Sequence, residues 1–161
     1  MRLLASRLGM FAILALLVGC DHATKLAAKG ELEGQRPRML VQGVVDLEYA
    51  ENRDVAFNAL RSVPERIRAP ILVALGGVAV VALAFLLLRR STIRPPIRLG
   101  VVLVTAGALG NYLDRLARGY VVDFVHLTHW PVFNGADVYV TAGACILSWS
   151  VLRTDRLRPA S

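Results

Sequence analysis

Cysteine is scarce in this sequence. Its 161 residues include only Cys20 and Cys145, and both lie within apolar runs. A framework of structural disulfides is therefore excluded as the basis of the fold, and the redox compartment cannot be inferred from the cysteines. The chain contains no internal repeat and no low-complexity tract. Its length predicts one domain, residues 1–161.

Charged residues are also few. They make up 19% of the chain, whereas hydrophobic residues make up 55% and the mean hydropathy is +0.52. A water-soluble domain of this size could not cover so much apolar surface, so we predict a membrane protein. The formal net charge is +7. In a soluble protein that excess would suggest nucleic acid, but here arginines cluster beside apolar runs and set membrane topology instead. No nucleic-acid partner is expected.

Four apolar segments predict four membrane spans. Their approximate bounds are residues 8–28, 70–88, 97–113 and 138–152, and together they form a single polytopic membrane domain. The first span has a second interpretation, because Leu17-Val18-Gly19-Cys20 resembles a lipobox, the motif before whose cysteine lipoprotein precursors are cleaved. In that case the chain would itself be a membrane-anchored lipoprotein. The three later spans favour a retained helix.

Arginines predict how the spans are oriented. They precede span one, crowd the link between spans two and three, and follow span four. In a four-span arrangement all of them lie on one side, which the positive-inside rule makes cytoplasmic. Both termini are then cytoplasmic, and segments 21–68 and 114–137 are extracytoplasmic. The arginines concerned are Arg2, Arg7, Arg89, Arg90, Arg94, Arg98, Arg153, Arg156 and Arg158.

The first extracytoplasmic segment contains a short β element. Between Arg38 and Ala50, β-branched and aromatic residues partly alternate with polar ones, most clearly over residues 45–49. Residues 51–54 should form a turn, because Asn and Asp tolerate tight backbone geometry. Ser62-Val63-Pro64-Glu65 has the pattern of a capping box at a helix start. The predicted fold class is an all-α membrane protein of four transmembrane helices with a small extracytoplasmic β element.

Polar residues gather at the end of span three. In a continuing helix, Asn111, Asp114 and Arg115 share one face, and Asp114 also reaches Arg118. Ionisable groups at membrane helices are costly, which makes them candidates for a functional site. The planar fork of Arg115 could bind a carbonyl or a phosphate. The simpler interpretation is a capped helix end with a surface ion pair.

Two further carboxylates flank the link to span four. Asp123 stands inside the apolar run of residues 121–125, where lost solvation should raise its pKa, and Asp137 follows Asn134 just before the span. Brought together, two such carboxylates could share one proton and act as general base and general acid, which is aspartic-protease chemistry. The alternatives are a strand aspartate that faces water and a simple helix cap.

A metal site is another interpretation of this region. Asp123, His126 and His129 follow each other at spacings of three, and with Asp137 they could form a metal-dependent membrane hydrolase. The spacing is weak evidence. Histidines beside Trp130 also fit an aromatic belt at the membrane interface.

Five stretches, in order along the chain, resemble the motifs of lipoprotein signal peptidase, also called signal peptidase II. Any one alone is a weak match, but the last three together are specific, and with the four spans the resemblance covers nearly the whole chain. The stretches are Asp21-His22-Ala23-Thr24-Lys25, Asn52-Arg53-Asp54-Val55-Ala56-Phe57, Gly110-Asn111-Tyr112-Leu113-Asp114-Arg115, Val121-Val122-Asp123-Phe124 and Phe133-Asn134-Gly135-Ala136-Asp137.

The resemblance implies an aspartic endopeptidase of the bacterial cytoplasmic (inner) membrane that uses no metal or other cofactor. Such an enzyme removes signal peptides from prolipoproteins whose lipobox cysteine carries a diacylglyceryl group. The expected partners are these diacylglyceryl-modified prolipoproteins and membrane lipids, and the expected state is a monomer with its site on the extracytoplasmic side. By resemblance, the catalytic residues are Asp123 and Asp137, and the substrate-binding or supporting residues are Asn52, Asn111, Asp114, Arg115, Asn134 and Asp21.

The chain departs from the family's usual pattern at two places. His22 stands where the family usually has Gln, and Asp54-Val55 stands where it usually has Gly-Ala. Gly can adopt backbone conformations that Asp rarely adopts, so Asp54 could change the shape of that loop and with it the range of substrates.

Overall fold

The computed structural model describes residues 2–53, 63–89 and 94–155. Within these ranges four helices are long and apolar enough to cross a membrane, and a small three-stranded sheet accompanies them. This confirms the predicted fold class. In chain order the elements are α1 (Arg2–Leu32), β1 (Arg38–Val41), β2 (Val45–Asn52), α2 (Glu65–Arg89), α3 (Pro95–Arg118), β3 (Val121–Leu127) and α4 (Gly135–Asp155).

The helices continue past the apolar segments seen in the sequence. Helix α1 runs on beyond Asp21 for three further turns, and its buried face is a stripe that repeats every three or four residues. Asp21 and Lys25 form the polar part of this stripe, and Ala28 and Leu32 form the apolar part. An acid and a base are therefore carried into the protein interior on the same face of one helix.

Helix α3 is the central helix of the bundle and packs against α1, α2 and α4. Small residues let α3 and α4 approach closely, as in other membrane helix pairs. A Cβ at Gly107 would collide with the Ala136 carbonyl oxygen and with Val140, and a Cβ at Gly143 would lie 2.7 Å from the Gly100 carbonyl oxygen. This contact holds the start of α4 against the polar end of α3.

The sheet is antiparallel, with the order β1-β2-β3. Strand β2 extends through Asn52, so the turn predicted at residues 51–54 is wrong for Glu51 and Asn52, which pair with Val122 and Val121 of β3. Pairing with a strand distant in sequence overrides the local preference for a turn. Asp54 of the predicted turn and Ser62 of the predicted capping box lie outside the described residues. The same is true of Arg90, Arg156 and Arg158, three of the arginines that predict the orientation.

Two short connections place β3 and α4 beside the end of α3. Gly119 caps α3 in the left-handed conformation, with φ 79°, and its N–H donates to the Arg115 carbonyl oxygen. The chain therefore turns directly into β3. After β3 it folds back so that Phe133 pairs with Val125. This return brings Asn134 and the N-terminus of α4 alongside Asp123.

Candidate active site

A cleft of about 300 Å³ opens between α2, α3, α4 and the end of β2. One end is polar and holds both Asp123 and Asp137, while the walls are apolar and partly built from small side chains. We call it the active-site cleft. Its lining residues are Asn52, Leu72, Gly76, Ala79, Ala108, Asn111, Tyr112, Arg115, Val121, Asp123, Asp137 and Val140.

Asp123 is buried, with 2% of its surface exposed, so the alternative of a water-facing strand aspartate is wrong. The strand register explains one of its partners. Asn52 pairs with Val121, which places the Asn52 side chain diagonally across from Asp123 on the same face of the sheet. The Asn52 amide donates to Asp123 Oδ2 at 2.8 Å, and the Asn134 amide donates to Oδ1.

Asp137 and Asn134 form a capping box at the N-terminus of α4. Asn134 Oδ1 accepts the N–H of Asp137 at 3.1 Å, and Asp137 Oδ2 accepts the N–H of Asn134 at 3.2 Å. Asn134 is thus the cap, and Asp137 lies one turn inside the helix and faces the cleft. The capping interpretation and a functional role are compatible, because one oxygen of Asp137 remains directed toward α3.

Asn111 completes the set of donors around the two carboxylates. Its Nδ2 donates to Asp137 Oδ1 at 3.0 Å, and its Oδ1 accepts a weaker bond from Asn134 at 3.3 Å. Each of the four carboxylate oxygens of Asp123 and Asp137 therefore accepts one hydrogen bond from an amide group. All of these donors are neutral, and a carboxylate oxygen can accept further bonds from a substrate or a water molecule.

Burial raises the pKa of the Asp123 carboxyl to about 6. The hydrogen bond from Asn52 opposes this shift by favouring the charged form, whereas the nearby charge of Asp137 adds to it. The rise predicted from the apolar sequence around Asp123 is confirmed in direction. A carboxyl group that titrates near neutral pH is suited to general acid–base catalysis.

Beside these carboxylates lies a second group, which we call the ionic cluster: Asp21, Lys25, Asp114 and Arg118. Lys25 Nζ lies 2.7 Å from Asp21 Oδ2 and 2.9 Å from Asp114 Oδ2, and Arg118 donates to Asp114 at 3.0 Å. The ion pair predicted between Asp114 and Arg118 is present, with Asp114 buried and Arg118 partly exposed, and the pair of Asp21 and Lys25 is fully buried. The cluster joins α1 to α3, and Asp21 Oδ1 also accepts the Ala136 N–H of α4 at 2.9 Å.

Sequence reasoning missed the importance of Lys25. Its spacing from Asp21 was visible, but no local pattern indicated that Asp114 and Asn111, almost ninety residues away, would contact the same ammonium group. His22 Nε2 lies 4.0 Å from Asp114 Oδ1 at the edge of the ionic cluster. Arg115 lines the cleft and also donates to the Asn111 carbonyl oxygen at 3.4 Å.

The metal-site interpretation receives no support from the geometry. Side chains alternate along a strand, so Asp123 and His126 lie on opposite faces of β3. His126 lies 3.9 Å from Asp46 of β2 instead. Among the residues that the structure describes, no group of three His, Cys, Asp or Glu side chains is arranged to hold a metal ion. The lipobox-like residues of the other alternative lie within α1.

Comparison with known proteins identifies the family. A family model described as signal peptidase (SPase) II matches residues 13–153. The lipoprotein signal peptidase of Moorella thermoacetica is 36% identical over 145 residues, which cover 88% of this chain and 92% of that protein. The lipoprotein signal peptidase of Solibacter usitatus is 33% identical over 150 residues, which cover 91% and 92%.

Solved structures show the same fold. A bacterial membrane enzyme determined by the in meso method at 2.3 Å resolution superposes with a TM-score of 0.79, covering 95% of this chain and 93% of that chain at 20% identity. At 20% identity this structural similarity is evidence for the fold alone, whereas the family match and the two relatives are evidence for function as well. The chain therefore belongs to the signal peptidase II family, the lipoprotein signal peptidases, which cleave signal peptides from prolipoproteins.

Proposed function

We propose that this membrane protease is an aspartic endopeptidase whose catalytic pair is Asp123 and Asp137. The observation that carries the proposal is a contrast among four aspartates. Asp21 and Asp114 lie against the cations Lys25 and Arg118, whereas Asp123 and Asp137 accept hydrogen bonds from neutral amides. A carboxylate paired with a cation is held in its charged form, but one held by neutral donors can exchange a proton. Only the second kind suits acid–base chemistry.

The proposed reaction uses one proton shared by the pair. Burial favours the proton on Asp123, and the positive end of the α4 dipole favours the charge on Asp137. Asp137 then takes a proton from a water molecule as the water oxygen attacks the scissile carbonyl carbon. Asp123 gives its proton to the leaving amine as the C–N bond breaks. The proton left on Asp137 restores the shared state of the pair.

The amides hold the pair in place for this reaction. Asn52, Asn111 and Asn134 fix the carboxylate oxygens, and Arg115 lies in the same cleft, where its fork can bind a substrate carbonyl. The apolar walls, with small residues such as Gly76 and Ala108, suit an extended apolar signal peptide. We infer that the substrate is a prolipoprotein with a diacylglyceryl-modified lipobox cysteine.

The proposed substrate can be tested directly with purified protein in detergent. The assay compares a diacylglyceryl-modified precursor with the same precursor lacking the lipid. We expect cleavage only of the modified form, just before the lipobox cysteine. Equal cleavage of both precursors would contradict the proposed lipid requirement while leaving the catalytic pair unaffected.

Removal of the supporting side chains on α3 should weaken cleavage. Asn111→Ala removes a donor to Asp137, and Arg115→Ala removes the cation from the cleft. Each should lower kcat/KM by about tenfold to a hundredfold, since a hydrogen bond to a charged group is worth about 1.5–3 kcal/mol. Gln42→Ala and Arg38→Ala, exposed residues near β1, are the matched controls. Unchanged cleavage by both α3 variants would reduce that motif to a helix end.

The pH profile should follow the titration of Asp123. Below about pH 6 its carboxyl keeps the shared proton, and above that pH both carboxyls become charged, so no acid remains for the leaving amine. We therefore expect kcat/KM to fall as pH rises above about 6, by about tenfold per pH unit, since kcat/KM reports the free enzyme. Initial rates between pH 4 and 9 at low substrate concentration measure this limb. A rate that rises across this range would contradict the assignment.

Four membrane-spanning helices and the family place this protein in the bacterial inner membrane. We infer that residues 1–161 form one membrane domain with both termini in the cytoplasm and the active-site cleft on the extracytoplasmic side. The support is the arginine excess on one side. The basic residues Arg94, Arg98 and Arg153 lie at the end of the bundle opposite the cleft.

The orientation predicts a labelling pattern in intact cells. In a chain whose Cys20 and Cys145 are replaced by Ala, Gln42→Cys should react with a membrane-impermeant thiol reagent. Arg94→Cys should react only after the cells are opened, because the charged reagent cannot cross the membrane. The opposite pattern would place the cleft in the cytoplasm.

A further inference from the structure

Lys25 is fully buried, with 0% of its surface exposed, although its ammonium group is charged and lies within a membrane-spanning helix. A buried charge of this kind is costly unless it is paired and hydrogen-bonded. An ammonium group has three N–H donors. Lys25 Nζ lies at ion-pair distance from Asp21 Oδ2, 2.7 Å, and from Asp114 Oδ2, 2.9 Å, and it donates a hydrogen bond to Asn111 Oδ1 at 2.9 Å.

The hydrogen bond to Asn111 separates this arrangement from an ordinary buried ion pair. Two carboxylates already offset the charge of Lys25, yet the ammonium group donates its hydrogen bond to Asn111, the amide that donates to Asp137. An amide has one oxygen and one NH₂ group. If the Asn111 amide were reversed, its NH₂ would face the ammonium group and its oxygen would face the Asp137 carboxylate. Both contacts would be repulsive.

We propose that Lys25 is a positioning residue of the catalytic pair: its ammonium group holds the Asn111 amide in the one orientation that donates to Asp137, and it supplies a positive charge behind the pair. This inference rests on the proposed aspartic mechanism. Lys25 does not line the cleft and touches neither carboxylate of the pair, so it acts through Asn111. The ionic cluster is then the frame that fixes Lys25 itself.

A second route supports the same role. Asp21, which pairs with Lys25, also accepts the N–H of Ala136, the residue before Asp137. Gly110 leaves the space that this carboxylate needs, because a Cβ there would lie 2.5 Å from Asp21 Oδ2. Lys25 therefore helps to position Asp137 in two ways, through the Asn111 side chain and, by way of Asp21, through the first turn of α4.

The charge of Lys25 also affects the pair. It lowers the pKa of the Asp123 carboxyl and so opposes part of the effect of burial. Removal of Lys25 should therefore move the alkaline limb of the kcat/KM profile to higher pH. The titratable and charged groups around Lys25 are Asp21 and His22 on α1, Asp114 and Arg118 on α3, Asp123 on β3 and Asp137 on α4.

Charge-balanced variants separate positioning from simple packing. Lys25→Met combined with Asp114→Asn removes one cation and one anion, so the net charge of the ionic cluster stays at zero. The matched control, Asp114→Asn with Arg118→Gln, removes the same charges but leaves Lys25 with Asp21 and Asn111. Both proteins are purified in detergent, checked by circular dichroism and gel filtration, and assayed on lipid-modified precursor across pH, beside wild type and Asp123→Asn.

We expect the Lys25 double variant to lose about a hundredfold in kcat, as misplacement of a catalytic group does, with little change in KM. Its alkaline limb should move to higher pH. The control variant should lose less than about tenfold in kcat, and the alkaline limb of its kcat/KM profile should stay at the wild-type pH. A folded Lys25 double variant that matches the control in kcat and in pH profile would overturn the proposal.

Two further outcomes are also decisive. If the first Lys25 variant does not fold, Asp21→Asn with Lys25→Met is balanced in the same way, and the same two measurements apply. Loss of folding in both Lys25 variants, with the control folded, would make Lys25 a residue of the fold alone and would also overturn the proposal. Substantial cleavage by Asp123→Asn is a different result, since it would remove the proposed catalytic pair itself.

Discussion

Replacement of either Asp123 or Asp137 by Asn should abolish cleavage of lipid-modified precursor and leave folded protein in the membrane. Asn is nearly the same size as Asp and can still form hydrogen bonds with its neighbours, so packing should survive, but it cannot take or give the catalytic proton. General acid–base steps are worth about 10²–10⁴ in rate, and the loss should be at least that large. Single-turnover cleavage of a purified precursor measures it.

The double variant adds a stricter test of this pair. Two residues that share one proton act as a unit, so Asp123→Asn combined with Asp137→Asn should be hardly worse than either single change. Asp114→Asn is the matched control, because Asp114 is as deeply buried as Asp123 but is paired with cations. Asp114→Asn should lower the cleavage rate less than either Asp123→Asn or Asp137→Asn does. Substantial cleavage by either single variant would rule out this catalytic pair, and activity restored only by an added metal would favour the site of His126 and His129.

The second large effect is expected at Gly107 on α3. In Gly107→Ala the new Cβ would collide with the Ala136 carbonyl oxygen and with Val140 Cγ2. Backbone cannot move aside as a flexible side chain can, so the first turn of α4 must shift and carry Asp137 with it. Overpacking of this kind costs about 1–3 kcal/mol, and misplacement of a catalytic group by about 1 Å can cost a hundredfold in rate. We expect a lower Tm and loss of most activity.

The matched control for this change is Gly19→Ala on α1, where an added Cβ meets nothing within 4 Å. Gly19 is also in a membrane helix, so the control separates the effect of crowding from that of changing a helical glycine. Its Tm and its cleavage rate should stay near those of wild type. Equal losses in both variants would show that close packing of α3 on α4 is not the cause.

Much of the fold could be predicted because a membrane leaves few solutions. Backbone groups in hydrocarbon must bond within the segment, so long apolar stretches become helices whatever their neighbours are. The sequence also indicated β structure between Arg38 and Ala50 from alternating residues. It misplaced the end of β2, since Glu51 and Asn52 read locally as a turn. Their pairing with β3, about seventy residues later, is not visible in a local pattern.

The candidate site was predictable to a similar degree. The sequence by itself determined that Asp123 and Asp137 stand beside apolar segments at the same membrane edge, where an ionisable group is too costly to be incidental. Apart from the family resemblance, residue type and position did not distinguish them from Asp21 and Asp114. That distinction depends on which partner each carboxylate meets.

Only the tertiary structure decided those partners. The close contact of α3 with α1 and α4 brings Lys25 between Asp21 and Asp114 and within hydrogen-bonding distance of Asn111. The same contact sets neutral amides around Asp123 and Asp137. The sequence determines the charges and their depth in the membrane, because these follow from residue type and from position along a helix. Whether a buried carboxylate is fixed as an anion or left able to share a proton depends on neighbours that are distant in the chain, and folding alone brings them within hydrogen-bonding distance.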